Sequence, residues 1–314
     1  MHDWLHNIDV LITGGTGYLG RALAKALLAS LGTGRICIFS RGEFAQAVMR
    51  RDLPDQQGRL RWFIGDVRDR SRLRRAMQGC QLVIHAAALK RVEVGEYNPG
   101  EMVLTNVMGA VNVIDGAIDA GVERVVAVSS DKACAPLNAY GATKLTMEKL
   151  LLAANNASGK SGSRFSVVRY GNVAGSTGSV IPTWREIQRA GGKAVPVSEP
   201  RCTRFWMTIQ EAVDLILWTA GNMWGGELVV PLLPAYRLGD LAAAMDAEIE
   251  LTGIGAGEKI DEMMIAPLES PNFRYHDPYL VSGGLAAQHA ERNIGGIQPH
   301  VMDVEEIRQR LREL

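Results

Sequence analysis

The chain predicts an α/β fold, a doubly wound parallel sheet followed by a smaller C-terminal lobe. Three observations carry this. Short apolar runs alternate with longer stretches of helical period through the first half of the chain. A glycine-rich turn, TGGTGYLG at 13–20, falls between the first run and the first helical stretch. After residue 172 the alternation yields to segments rich in Gly, Pro and Ser.

The elements follow in order. Strands are expected at 10–13, 35–40, 60–64, 82–86 and 125–129, short strand-like apolar runs, and RFSVVRYGN at 164–172 extends the series. Helices are expected between them at 19–31, 71–77, 106–120 and 140–155. Residues 1–171 form the expected nucleotide-binding domain, and 172–314 mainly the substrate-binding lobe. The chain is expected to re-enter the first domain near 205–225, where MTIQEAVDLILWTA has a helical pattern. A short helical stretch at 181–189 precedes it.

Bulk properties exclude several classes. Lys plus Arg equals Asp plus Glu at 34 each, so no global positive field favours nucleic acid or an acidic membrane surface. The basic run RDRSRLRR at 68–75 reads as a solvated helix face. Cys37, Cys80, Cys134 and Cys202 are widely spaced, with no metal-ligand cluster and no disulfide framework, which fits a reducing cytoplasm. The start MHDWLHNIDV lacks the features of a signal peptide, and no apolar run approaches the ~20 residues of a membrane helix. A soluble, cytoplasmic protein is expected.

The glycine turn predicts a Rossmann-like dinucleotide site. Gly14, Gly17 and Gly20 permit a tight turn, close approach to a pyrophosphate and close helix–strand packing, while Thr16, Tyr18 and Leu19 open the helix beside the phosphates. The second strand ends in Ser40-Arg41 instead of an acid. A hydroxyl and a guanidinium suit a 2′-phosphate, so NADP is expected in preference to NAD, although Glu43 is near enough to serve the latter. Asp66 and Val67 follow the third strand and are placed to meet the adenine. Ala86, Ala87 and Ala88 follow the fourth and are small enough to pack along the cofactor. His85 reads as a packing histidine, having no acid near it in sequence.

Tyr140 and Lys144 stand four residues apart and share one helix face. A nearby ammonium favours tyrosinate, which lets the phenol take a hydroxyl proton as hydride leaves. Ser129 and Ser130 end the preceding strand and could bond the same substrate oxygen. Asp131 and Lys132 add an acid–base pair that simple alcohol oxidation does not require; its bland reading is a loop ion pair.

With TGGTGYLG, GDVRD, HAAALKRVEVGEYNP, TNVMGAVNVIDGA, SSDKACAPLNAYGATKL, RYGNVAGSTGSVIP, TRFWMT and GEKIDEMMI in order along most of the chain, the sequence resembles the extended short-chain dehydrogenase/reductase family. Within it the match is to the inverting UDP-N-acetylglucosamine 4,6-dehydratases of pseudaminic acid biosynthesis. The resemblance implies oxidation at C4, loss of water across C5 and C6, return of hydride to C6 and inversion at C5. It implies Lys132 as the C5 base and Asp131 as the acid for the C6 hydroxyl, with Ser130, Tyr140 and Lys144 completing the catalytic set. A base must be neutral, which burial or a charge such as Lys144 would favour. Asn106 joins the implied cofactor residues. Lys90, Asn172, Ser179, Arg204 and Glu258 are the implied substrate contacts, Arg204 for the diphosphate and Glu258 for the nucleotide ribose. Two positions depart from the family pattern: Thr177 stands in place of an arginine, and Arg91 where many relatives have histidine. A nucleotide-sugar 4-epimerase, or dehydration with retention at C5, remains the alternative. Apolar faces on 106–120 and 140–155 imply a homo-oligomer.

Overall fold

The computed structural model describes residues 3–30, 32–55, 57–159, 162–283 and 299–314. Met1, His2, Leu31 at the end of the first expected helix, and 284–298 of the expected lobe lie outside them. The first half runs β1 (Val10–Thr13), α1 (Tyr18–Ala29), β2 (Ile36–Ser40), α2 (Glu43–Asp52), β3 (Leu60–Ile64), α3 (Arg70–Met77) and β4 (Leu82–His85). It continues with α4 (Val92–Tyr97), α5 (Pro99–Met102), a π-helical turn over Val103–Met108, α6 (Gly109–Ala120), β5 (Arg124–Val128), α7 (Ala139–Ser158) and β6 (Arg164–Val168). Every residue of β1, β2 and β4 is buried, as a sheet covered by helices on both faces requires.

The second half comprises α8 (Val180–Arg189), β7 (Ala194–Val197), β8 (Thr203–Phe205), α9 (Ile209–Asn222), β9 (Leu228–Pro231), β10 (Ala235–Arg237), α10 (Leu238–Ala244), β11 (Glu248–Leu251), β12 (Phe273–His276), β13 (Tyr279–Ser282) and α11 (Val304–Arg312). Among the described residues one nine-stranded sheet runs β12-β13-β9-β6-β5-β4-β1-β2-β3. It is parallel from β9 to β3, while β12–β13 and β13–β9 pair antiparallel. Three strands from beyond residue 172 therefore join the main sheet, and α9 packs on α1. The remaining elements enclose a second core around Trp184, Trp206, Tyr236, Leu241 and Ile307. There the Trp206 and Tyr236 rings meet edge to face at 5.7 Å.

Sequence periodicity does not show α2 or the β12–β13 hairpin. The first lies under a polar surface, and the second is too short to have a period of its own. The basic run at 68–75 becomes α3, whose Arg70 and Arg74 pair with Asp115 and Asp119 of α6 at 3.3 and 3.6 Å. The strand order reverses direction beside β1, between β4 and β2, and a ligand crevice is expected there at the carboxyl ends.

Candidate active site

A cleft of about 1240 Å³ opens at that point, between the main sheet and the second core. Of the residues assigned from sequence to catalysis, cofactor or substrate, all but Asp131 and Asn106 line it; Glu43, the alternative for NAD, and His85, expected to be a packing residue, do not. Asn106 is buried behind the β4 loop, where its Oδ1 accepts from the Leu89 amide (2.8 Å) and its Nδ2 donates to the Leu89 carbonyl (2.9 Å) and Thr143 Oγ1 (3.1 Å). It shapes the 86–90 segment from behind.

The glycine turn fits a dinucleotide. Gly14 has φ +68°, and a Cβ there would come within 2.9 Å of the Ala87 backbone. At Gly20 a Cβ would meet the Gly15 backbone at 2.5 Å, so α1 can pack this closely only through glycine. Gly17 caps α1 without any side-chain bond to the first-turn amides, which leaves them free for an anion. Arg41 is exposed at the end of β2, 3.9 Å from Asp66. Asp66 is engaged more closely by Arg68, at 2.8 Å. Burial works to raise the Asp66 pKa, but the Arg68 bonds outweigh it and hold the carboxyl below the usual range. Glu43 does not line the cleft. His85 is buried, with Nδ1 2.8 Å from Thr13 Oγ1.

The catalytic candidates sit between β5 and α7. Asn138 caps α7 through the Gly141 amide and orients its first turn, including Tyr140. Asp131 is 1% exposed and lies beneath Lys132. Its Oδ1 accepts from Ser130 Oγ (2.8 Å) and Lys132 Nζ (3.2 Å), and its Oδ2 has no partner among the described residues. Lys132 Nζ also reaches Glu262 Oε1 at 3.2 Å and Asn172 Oδ1 at 3.5 Å.

Three expectations need correction. Lys144 is not the neighbour that neutralises Lys132. Its Nζ donates to the Val128 carbonyl and lies 3.2 Å from Met147 Sδ, and burial lowers its pKa to about 8. Lys132 is not held neutral: burial favours the amine, but Asp131 and Glu262 outweigh it and raise the pKa, so the unliganded side chain is an ammonium. Tyr140 is not pre-ionised. Burial raises its pKa, with the Ser130 hydrogen bond and the Lys132 charge pulling the other way.

The two serines also part company. Ser129 Oγ donates to Glu148 Oε1 at 2.5 Å, which leaves Ser130 as the one beside Tyr140. Arg204 and Glu258 bind each other, at 2.7 Å. Glu258 also accepts from Ser198 Oγ at 2.9 Å.

Several site residues escape sequence reasoning. Glu262 bridges Lys132 and Lys259, the latter at 3.6 Å, and Lys259 donates to the Cys134 carbonyl. Arg169, fully buried, joins Glu148 of α7 (2.6 Å) to Glu269 (2.8 Å). Glu262 stands in GEKIDEMMI, a segment that carries the family resemblance, and that was the available signal.

Comparison with known proteins follows this geometry. The chain is 44% identical over 280 residues to a Campylobacter jejuni protein named UDP-N-acetylglucosamine 4,6-dehydratase (inverting), across 88% of this chain and 83% of that one. It is 39% identical over 269 residues to a Rickettsia conorii protein named UDP-glucose 4-epimerase, across 83% and 78%. The fold matches the X-ray structure of Pen from Bacillus thuringiensis with a TM-score of 0.93 over 100% of both chains, at 33% identity. It matches the dTDP-glucose 4,6-dehydratase DesIV of Streptomyces venezuelae with a TM-score of 0.76 over 97% and 96% of the chains, a likeness of fold at 20% identity. The family described as polysaccharide biosynthesis protein matches residues 10–282, which take in the glycine turn, the Asp131–Lys132 pair, the Tyr140 helix and all nine strands of the sheet. By sequence and by fold, the chain belongs to the polysaccharide biosynthesis protein family.

Proposed function

We propose that the protein is a nucleotide-sugar 4,6-dehydratase that converts UDP-N-acetylglucosamine to a 4-keto-6-deoxy sugar with inversion at C5. The observation that carries this is the Asp131–Lys132 pair, 3.2 Å apart, beside Tyr140. The similarity to the Campylobacter jejuni relative supports the substrate.

The glycine turn, Asp66–Val67 and the Ala86–Ala88 segment would hold NADP, which when bound would accept the hydride from C4 and return it to C6, so no outside reductant would be consumed. Arg41 and the uncapped start of α2 suit its 2′-phosphate, which favours NADP over NAD. Tyr140 takes the C4 hydroxyl proton, and Ser130 bonds the same oxygen. The C4 ketone then acidifies C5–H. Lys132 as amine removes that proton, and Asp131 as acid gives one to the departing C6 hydroxyl. Proton transfer from Lys132 Nζ to Asp131 Oδ1 across 3.2 Å turns the resting ammonium–carboxylate pair into the amine and acid that elimination needs, with no net proton change. Asn172 lies beside Lys132 to bond the sugar.

The test is proton NMR and mass spectrometry of UDP-N-acetylglucosamine with the purified protein in D2O, without added reductant. Loss of one water, deuterium at C5 and an altered ring coupling pattern are expected. A second reading, 4-epimerase, is favoured by the Rickettsia relative. Conversion at C4 with no loss of water would establish it instead. Dehydration with unchanged coupling would mean retention at C5.

The reading includes a cytoplasmic homo-oligomer. All four cysteines are unpaired, and no helix among the described residues is long and apolar enough to cross a membrane. Val103, Leu104 and Met108 of the π-helical turn are apolar and exposed, and Ile118 of α6 lies on the same stretch. Sedimentation velocity is expected to give a mass above the 34.1 kDa of one chain.

A further inference from the structure

The cations of the substrate half of the cleft are unequally engaged. Lys132 is paired with Asp131 and Glu262. Arg204 gives Nη2 to Glu258, and gives Nη1 to the carbonyls of Thr203, Lys259 and Ile260 at 2.7, 3.1 and 3.2 Å. A ligand that drew Arg204 away would leave Glu258 without its cation. Lys90 and Arg91 line the same cleft, and neither has a carboxylate partner among the described residues.

Both reach one short segment. Lys90 Nζ donates to the Thr177 carbonyl at 3.4 Å. The Arg91 guanidinium lies against Gly178, where a Cβ would meet Nη2 at 3.2 Å, Cζ at 3.8 Å and Nε at 3.9 Å. Ser179 follows as the cap residue of α8. Its Oγ is shielded from solvent without a partner, and it makes no side-chain bond to the first-turn amides. The two positions that depart from the family pattern, 91 and 177, are thus neighbours in space. The guanidinium missing at 177 is present at 91, on the other wall of the cleft.

A diphosphate in a partly desolvated cleft needs cations that are not already neutralised, and a guanidinium offers it two parallel N–H groups. We propose that Arg91, with Lys90 and the backbone of 176–179, seats the diphosphate of the nucleotide sugar, and that Arg204 instead fixes Glu258. This rests on the nucleotide-sugar reading above. It assigns the anion-binding role to a residue that stands out in the sequence only as a departure from the family pattern it resembles.

Calorimetric titration of the NADPH-loaded protein with UDP and with uridine tests it. Arg91→Ala is expected to weaken UDP binding about ten- to hundredfold, the range for one charged hydrogen-bonded contact, while uridine and NADPH binding stay unchanged. Thr177→Arg added to Arg91→Ala is expected to restore most of the loss. Unchanged UDP affinity in both Arg91→Ala and Arg91→Gln would overturn the proposal, as would equal loss of UDP and uridine. Wild-type protein that binds NADPH but not UDP would instead overturn the nucleotide-sugar reading on which it rests.

Discussion

At the residue scale the chemistry turns on where one proton sits between Asp131 and Lys132. Replacing Asp131 by Asn removes the acid and keeps the shape. Oxidation at C4 is expected to persist, while water loss falls by about 10²–10⁴, the usual range for a general acid. Single-turnover absorbance of the reduced cofactor reads the first step, and mass spectrometry the second. Glu262 stabilises the ammonium form of Lys132, together with Asp131. Passing that proton to Asp131 gives the amine and the acid together, so whatever loosens it on Lys132 favours the form that eliminates. Glu262→Gln removes a carboxylate that raises the Lys132 pKa, and single-turnover water loss at neutral pH is expected to speed up. An unchanged rate of water loss would show that Glu262 does not set the state of Lys132.

At the element scale the site depends on a buried ion cluster that ties three segments together. Arg169 follows β6, Glu148 lies on α7, and Glu269 lies on the stretch that carries Lys259 and Glu262. Both carboxylates grip the guanidinium at two points, and the Arg169 pKa is raised although burial opposes this. Arg169→Met would leave Glu148 fully buried without its cation, and Glu269 half-free. A destabilisation of about 3–5 kcal/mol is expected, read from urea unfolding midpoints. The same helix α7 carries Tyr140 and Lys144, so this cluster holds the catalytic helix against the sheet.

At the scale of the whole molecule the sheet centre carries a pH liability. His85 ends β4 beside β1, fully enclosed, with its Nε2 unpartnered. Burial first, then the charge of Lys144, lowers its pKa from an ordinary 6.5 to about 3. The folded form therefore keeps it neutral while the unfolded chain protonates it. The stability this contributes is complete above pH 6.5 and is lost progressively as pH falls toward 3. Thermal melts of His85→Asn, which can keep the bond to Thr13, are expected to fall less steeply than wild type across that window. Equal slopes would place the acid sensitivity elsewhere.

Much of this architecture was legible from the residues alone. The turn at 13–20, the alternation of strand and helix, and the spacing of Tyr140 and Lys144 are local patterns, and local sterics and periodicity determine them. They were enough to bring nearly every cofactor candidate to one cleft. What they do not encode is which charges meet. The resemblance marks Asp131 and Lys132 as acid and base, but the resting protonation of Lys132 depends on Asp131 and on Glu262, which arrives from the far half of the chain. Lys144 turns to the Val128 carbonyl because α7 packs on β6, beside the end of β5, and Arg204 is held by Glu258 because the second core docks there. Arg91 meets Gly178 only across the cleft. Such pairings follow from sheet register and from how the lobe sits on the sheet, and these are settled by the packing of the whole chain.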